Sequence, residues 1–210
     1  SFFIYDFIKK IYENKIVNIK LIVIQDYKEN FKRKLLLAFL IGINNCLKLF
    51  YELNFKRGSL SIQNFCESKK INFIITKDIN KSHIIKKIKS FESDLIINLN
   101  VMKLFKKKFI NKFSSKLINL HPGILPKYRG LYSTFYKILN NEKFYGITSH
   151  FMTDKVDHGK IIAIVKKKLS KKNLFLCYNV IYKELIFKLF YLTIKSYKKK
   201  ILLKKRTKIY

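Results

Sequence analysis

Four short apolar runs rich in β-branched residues, Val17–Ile24 (VNIKLIVI), Ile71–Thr76 (INFIIT), Asp94–Leu99 (DLIINL) and Lys116–Leu120 (KLINL), punctuate the first 120 residues. Between them lie segments with helical spacing of apolar residues, and this alternation constrains the fold more than any other feature. Runs that are apolar on both faces belong inside a sheet covered on two sides, and strands that alternate with helices are joined by crossovers that leave neighbours parallel. The spacing predicts helices over Phe2–Tyr12, Lys34–Leu53, Leu60–Glu67, Asn80–Phe91, Leu131–Asn140 and Phe175–Ile194. Asn80 or Ser82 is the expected N-cap of the fourth. Gly146–Met152 and Lys160–Lys166 read as two more strands, and Lys195 onward as a basic tail. The expectation is an α/β fold with a mainly parallel sheet and helices on both faces, in one domain of 210 residues.

At 49% hydrophobic and 15% aromatic residues the chain can bury a core, which excludes a disordered protein. Its 45 Lys+Arg against 13 Asp+Glu give a net charge of +32, a value that by itself points to nucleic acid or an anionic membrane. Only Arg33, Arg57, Arg129 and Arg206 are arginines, however, and Asn, Ile, Phe and Tyr are abundant with Lys. That is the bias of an AT-rich coding sequence, so the charge carries less functional weight than its size implies. Cys46, Cys66 and Cys177 are scattered, which suggests neither a disulfide framework nor a zinc site and fits a reducing cytoplasm. The longest apolar run, Leu35–Ile43, falls well short of the ~20 residues of a membrane span, so no stable membrane insertion is expected.

In so biased a composition the rare residues are informative. Both prolines, four of six glycines and three of four histidines fall between positions 121 and 159. Asn119 and His121, two apart at the end of the strand KLINL, leave an extended backbone on the same face. The carboxyl ends of parallel strands are where such sheets bind ligands. An amide donor beside an imidazole there can polarise a carbonyl and move a proton, and Asp157 in the loop sequence VDHG is able to return to the same place and orient the ring. These residues also admit a purely structural explanation, a capping Asn and a surface His. A metal cluster of His121, His150, Asp157 and His158 is disfavoured, because no pair has the helical i, i+4 or short-loop spacing of zinc enzymes.

The stretch INLHPGILPKYRG, followed by GITSHFMTDKVDHGKII, resembles the catalytic core of the folate-dependent formyltransferases, which act on methionyl-tRNA, amino sugars or glycinamide ribonucleotide. The matching residues are Asn119, His121 and Pro122, then Leu125 and Pro126, then Asp157 and Gly159, with Asp157 38 positions after Asn119. His150 falls where many members carry a His, and DLIINLNVMKLF resembles the folate-side segment, with Asn100 where a Gly is usual. The resemblance covers about residues 60–168.

It implies a Rossmann-like fold and transfer of a formyl group from 10-formyltetrahydrofolate to a primary amine, without a metal. Asn119, His121 and Asp157 would be catalytic. Leu99, Val101, Met102 and Leu104, with Asp154 and Gly159, would hold the folate cosubstrate; Pro122, Gly123 and Arg129 would face the acceptor. His121 and Asp157 are expected within hydrogen-bonding reach, and the Leu125–Pro126 bond is expected to be cis. Members of the family open with a strand and a Gly-rich turn, so the catalytic domain, residues 1–195, is expected to be N-terminally incomplete, with its first strand missing and 196–210 as its tail. The loop KYRG and the basic stretch 28–58 favour methionyl-tRNA as acceptor, ahead of an amino sugar nucleotide or glycinamide ribonucleotide. A non-catalytic basic protein that binds RNA or a membrane is the alternative of another class.

Overall fold

The computed structural model describes residues 2–26, 62–99, 101, 103–169 and 173–206. The expected helix Lys34–Leu53, the basic stretch 28–58, Cys46 and Met102 lie outside them. Helix α1 (Phe2–Glu13) leads to strand β1 (Ile22–Gln25); helix α2 (Ile62–Ser68), strand β2 (Phe73–Thr76), helix α3 (Ser82–Ser90) and strand β3 (Ile96–Leu99) follow. Then come helix α4 (Lys107–Phe113), strand β4 (Leu117–His121), helix α5 (Ser133–Leu139) and strands β5 (Phe144–Phe151) and β6 (Ile161–Lys168). The chain closes on helix α6 (Leu174–Asn179), a π-helical turn (Val180–Leu185) and helix α7 (Ile186–Arg206).

Strands β1 and β2 pair in parallel, as do β3 and β4, in agreement with the alternation in the sequence. Beyond β4 the direction reverses: β5 pairs antiparallel with β4, and β6 antiparallel with β5. Among the described residues the strands form two groups, β1-β2 and β3-β4-β5-β6. Between β1 and β3 lies a cavity of about 1340 Å³, lined by Phe7 and Ile11 of α1, Ile22 and Ile24 of β1, and Ile97 and Leu99 of β3.

Helices cover both faces, and β4 shows why its sequence is apolar throughout. Leu117 packs on one face with Ile84, Ile85 and Ile88 of α3 and Phe109, Ile110 and Phe113 of α4. Ile118 and Leu120 pack on the other with Phe7 and Ile11 of α1 and Ile186, Leu189 and Phe190 of α7. Each fully buried aliphatic or aromatic side chain contributes about 1.5–3 kcal/mol, and the same alternation sends Asn119 and His121 out on the Leu117 face.

Several boundaries differ from expectation for identifiable reasons. The first strand is only Ile22–Gln25, because its partner β2 offers just four residues, from Phe73 to Thr76. Helix α4 was not expected, since five polar or charged neighbours in KKKFINK obscure the buried trio Phe109, Ile110 and Phe113. Neither Asn80 nor Ser82 caps α3; the N-cap is Lys81, without a side-chain bond. Asn80 instead accepts from Lys106 N–H at 2.7 Å and donates to the Leu104 carbonyl at 3.1 Å, tying the start of α4 to that of α3. The last helix does not stop at Ile194: α7 runs on through Lys195 to Arg206. Its anchor is Thr193, whose hydroxyl lies 2.7 Å from the Leu189 carbonyl and 2.8 Å from Ser149 Oγ of β5. No helix among the described residues is long and apolar enough to cross a membrane.

Candidate active site

The carboxyl end of β4 places Asn119 opposite Asn98 of β3 and opposite His150 of β5. Three polar side chains from adjacent strands therefore share one face, in contact. Asn98 Nδ2 donates to Asn119 Oδ1 at 2.8 Å, which turns the Asn119 Nδ2 group the other way, toward His150 Nε2 and Asp157 Oδ1, both at 3.2 Å.

Asp157 comes from the loop between β5 and β6 and has a left-handed backbone, φ 53°. Asp is among the few non-glycine residues that tolerate this region, and such conformations cluster at functional sites. Its carboxylate is the hub of the cluster. Oδ2 lies 3.2 Å from His121 Nδ1 and accepts from Gly130 N–H at 2.8 Å, while Oδ1 faces Asn119 and, at 3.3 Å, His150 Nε2. Burial alone would raise its carboxyl, but the His150 contact, the His121 charge and the Gly130 N–H together hold it below the ordinary carboxylate range.

His121 is 4% exposed, and both ring nitrogens face acceptors: Nδ1 the carboxylate, Nε2 the Tyr128 carbonyl at 2.6 Å. Burial pushes the imidazole below its ordinary value; Asp157 and the Tyr128 carbonyl pull it back up, and His150 and Lys137 add to the downward push. Asp157 thus raises this ring as one contribution, and desolvation outweighs it.

The Pro122–Gly130 loop is held against the site from several sides. The Leu125–Pro126 bond is cis. The Pro122 carbonyl accepts from the Ser133 and Thr134 hydroxyls at 2.7 and 3.2 Å, and the Gly123 carbonyl from Thr148 Oγ1 at 2.6 Å. A Cβ at Gly123 would stand 2.5 Å from His121 Nε2 and 2.7 Å from the Tyr128 carbonyl. Gly123→Ala is therefore expected to displace the imidazole, read as a changed His121 ring signal by NMR, while its circular dichroism spectrum stays that of the folded protein. Gly159 has a different constraint: a Cβ there would lie 1.6 Å from the Phe151 carbonyl, so the return of the Asp157 loop onto β5 requires glycine whatever is bound.

Other expected residues lie further out. The exposed Arg129 uses Nε to donate to the Asp157 carbonyl at 3.1 Å, bracing the loop that carries the carboxylate. Leu99 pairs with Leu120, on the face opposite Asn119, and with Val101 lines the cavity between β1 and β3, so Leu99 can meet a ligand at Asn119 only through its main chain. Leu104 is 69% exposed and Asp154 is exposed. His158 turns away, its Nδ1 on the Val156 carbonyl at 2.6 Å. Sequence reasoning missed Asn98; its only signal was a polar residue inside the apolar run DLIINL.

The formyl transferase family model matches residues 56–173, more than half of the chain. Among curated proteins the chain is similar to the methionyl-tRNA formyltransferase of Finegoldia magna, 31% identical over 102 residues, covering 49% of this chain and 33% of that protein. It is also similar to the phosphoribosylglycinamide formyltransferase of Escherichia coli, 30% identical over 83 residues, covering 40% of this chain and 39% of that protein. The chain thus matches only a third to two fifths of the length of these relatives. Among solved structures, the phosphoribosylglycinamide formyltransferase of Coxiella burnetii superposes with a TM-score of 0.62 at 16% identity, over 91% of this chain and 80% of that one, a likeness of fold. With the match spanning the loop and strands that carry Asn119, His121 and Asp157, the chain belongs to the formyl transferase family.

Proposed function

We propose that this chain transfers the formyl group of 10-formyltetrahydrofolate to a primary amine, with Asn119, His121 and Asp157 as its catalytic residues. The observation that carries the reading is the 3.2 Å pairing of His121 Nδ1 with Asp157 Oδ2, beside the Asn119 amide, at the end of β4. The amine attacks the formyl carbon, a new C–N bond forms, and the carbonyl electrons move onto oxygen. Nε2–H of His121 already donates to a carbonyl oxygen, that of Tyr128, so the ring is equipped to donate to the formyl oxygen as charge develops there, with Asn119 Nδ2 as second donor. One such donor lowers the barrier by roughly 2.7–4 kcal/mol. The bond from carbon to the folate nitrogen then breaks, and the proton lost by the amine reaches that nitrogen through the His121–Asp157 pair.

Apolar side chains left uncovered on the two segments assigned to the folate, Leu104 at 69% and Val156 at 48% exposure, support an apolar slot for the pterin. Leu99 and Val101 contribute main chain there, with Met102, Asp154 and Gly159 in the same segments. Pro122, Gly123 and Arg129 border the acceptor side. We rank methionyl-tRNA first among acceptors, ahead of an amino sugar nucleotide and glycinamide ribonucleotide. The support is the loop KYRG and the basic stretch 28–58. Phosphate contacts supply most non-specific affinity for nucleic acid and weaken steeply with salt.

The test offers labelled formyl donor with each of the three acceptors to the purified chain. Transfer to charged tRNA, declining as salt rises, is the expected result. Transfer to a small amine alone would overturn the ranking, and no transfer to any acceptor would overturn the reaction.

A further inference from the structure

Helix α5 carries a lysine where its packing calls for an apolar residue. Lys137 is 0% exposed, and its Nζ meets no hydrogen-bond acceptor among the described residues. An ammonium taken out of water without a partner is strongly disfavoured, so such a group persists only where something offsets the cost. Here the offset is aromatic: Nζ lies 5.5 Å from the ring centre of Tyr128 and 5.6 Å from that of Tyr145. Cation–π contacts strengthen when they are desolvated in this way.

Tyr128 is the same residue whose carbonyl accepts from His121 Nε2 at 2.6 Å. Its side chain is gripped at both ends. Lys137 holds the ring from inside the core, Glu142 Oε1 accepts from its hydroxyl at 2.6 Å, and Asn140 Nδ2 donates to that hydroxyl at 3.2 Å. We propose that Lys137 is a positioning residue for His121: by fixing the Tyr128 ring from within, it fixes the Tyr128 carbonyl, and with it the orientation of the imidazole and the placement of a proton on Nε2. This rests on the reading of His121 as catalytic, and it adds a residue outside the site that acts through the backbone of the loop.

The groups that face Lys137 come from each element packed around it. They are Tyr128 from the loop, Glu142 from the turn after α5, Tyr145 from β5 and Cys177 from α6, with Lys127 bonded to Glu142 at 2.5 Å. Burial brings the Lys137 amine down to about 8, against the pull of Glu142 and Cys177, so it stays charged where the imidazole, held below its ordinary value, titrates.

The test is Lys137→Met, which keeps length and apolar packing but removes the charge, read by nitrogen-15 NMR of the histidine rings and by steady-state kinetics. In the wild-type protein a proton is expected on His121 Nε2, facing the Tyr128 carbonyl. The variant is expected to show a mixture of the two tautomers and about 10-fold lower kcat, with KM for the formyl donor within twofold. An unchanged tautomer in a folded variant overturns the proposal, even if stability has changed. Should Lys137→Met fail to fold, Tyr128→Leu removes the ring that Lys137 holds and keeps the carbonyl; it must give the same tautomer mixture, and retention of Nε2–H overturns the proposal. The NMR readout needs no turnover, so a failure here is distinct from a failure of the formyl-transfer reading.

Discussion

His121→Ala is expected to lower kcat for formyl transfer about 10³-fold, or roughly 4 kcal/mol in the barrier, while the dissociation constant for the folate donor changes less than threefold. The ring sits at the end of β4 with its Nδ1 on Asp157 and its Nε2 on a carbonyl oxygen, so it is already placed as a donor to oxygen. Losing it removes a contact that strengthens as negative charge develops, and leaves untouched the apolar segment around Leu104 that would bind the pterin. Equilibrium dialysis of labelled donor beside turnover separates the two effects. Near wild-type turnover in this variant would remove His121 from the mechanism.

Asp157→Asn is expected to cost about 10²–10³ in kcat and to move the pH profile in a specific direction. The carboxylate is the larger of the two contacts, with the Tyr128 carbonyl, that favour the imidazolium of His121 against its burial. An amide removes that charge, so the protonated ring is disfavoured further and its native pKa falls. Because the proposed donor needs its proton, the limb of the kcat profile that declines with rising pH is expected to shift to lower pH. The acid side of stability changes as well. In the wild type the Asp157 carboxyl sits below its unfolded value, so it contributes stability at neutral pH that is lost as pH falls through the native value. The Asn variant is expected to lack that loss, as read by melting temperature between neutral and acid pH. A pH profile superimposable on that of the wild type would contradict the role assigned to Asp157.

The parts of the fold that were legible in the sequence are those in which burial is written into one short segment. VNIKLIVI, INFIIT, DLIINL and KLINL are apolar on both faces, so each announces a strand inside a sheet. The pair Asn119 and His121 was legible for the same reason, since a spacing of two on a strand fixes a shared face. Asp157 was placed by its spacing from Asn119 together with the Asp-x-Gly of the family.

What was not legible depends on the register between segments. Asn98 orients Asn119 only because β3 and β4 align Asn98 with Asn119, and no property of DLIINL alone states that alignment. Lys137 is one of 41 lysines, and only the convergence of Tyr128, Tyr145 and α6 shows it to be buried. The reversal of direction at β5 was hidden because a strand run carries no sign of its polarity. The continuation of α7 to Arg206 was hidden because its lysine-rich sequence looks solvated.

The central claim, that Asp157 acts through His121 as one catalytic unit, is tested most directly by a double-mutant cycle on kcat for formyl transfer with His121→Ala, Asp157→Ala and both together. Residues that act as a unit are strongly non-additive. The double variant is predicted to be no slower than about twofold below His121→Ala alone. Losses that multiply, so that the double variant falls by the product of the two single effects, would contradict it.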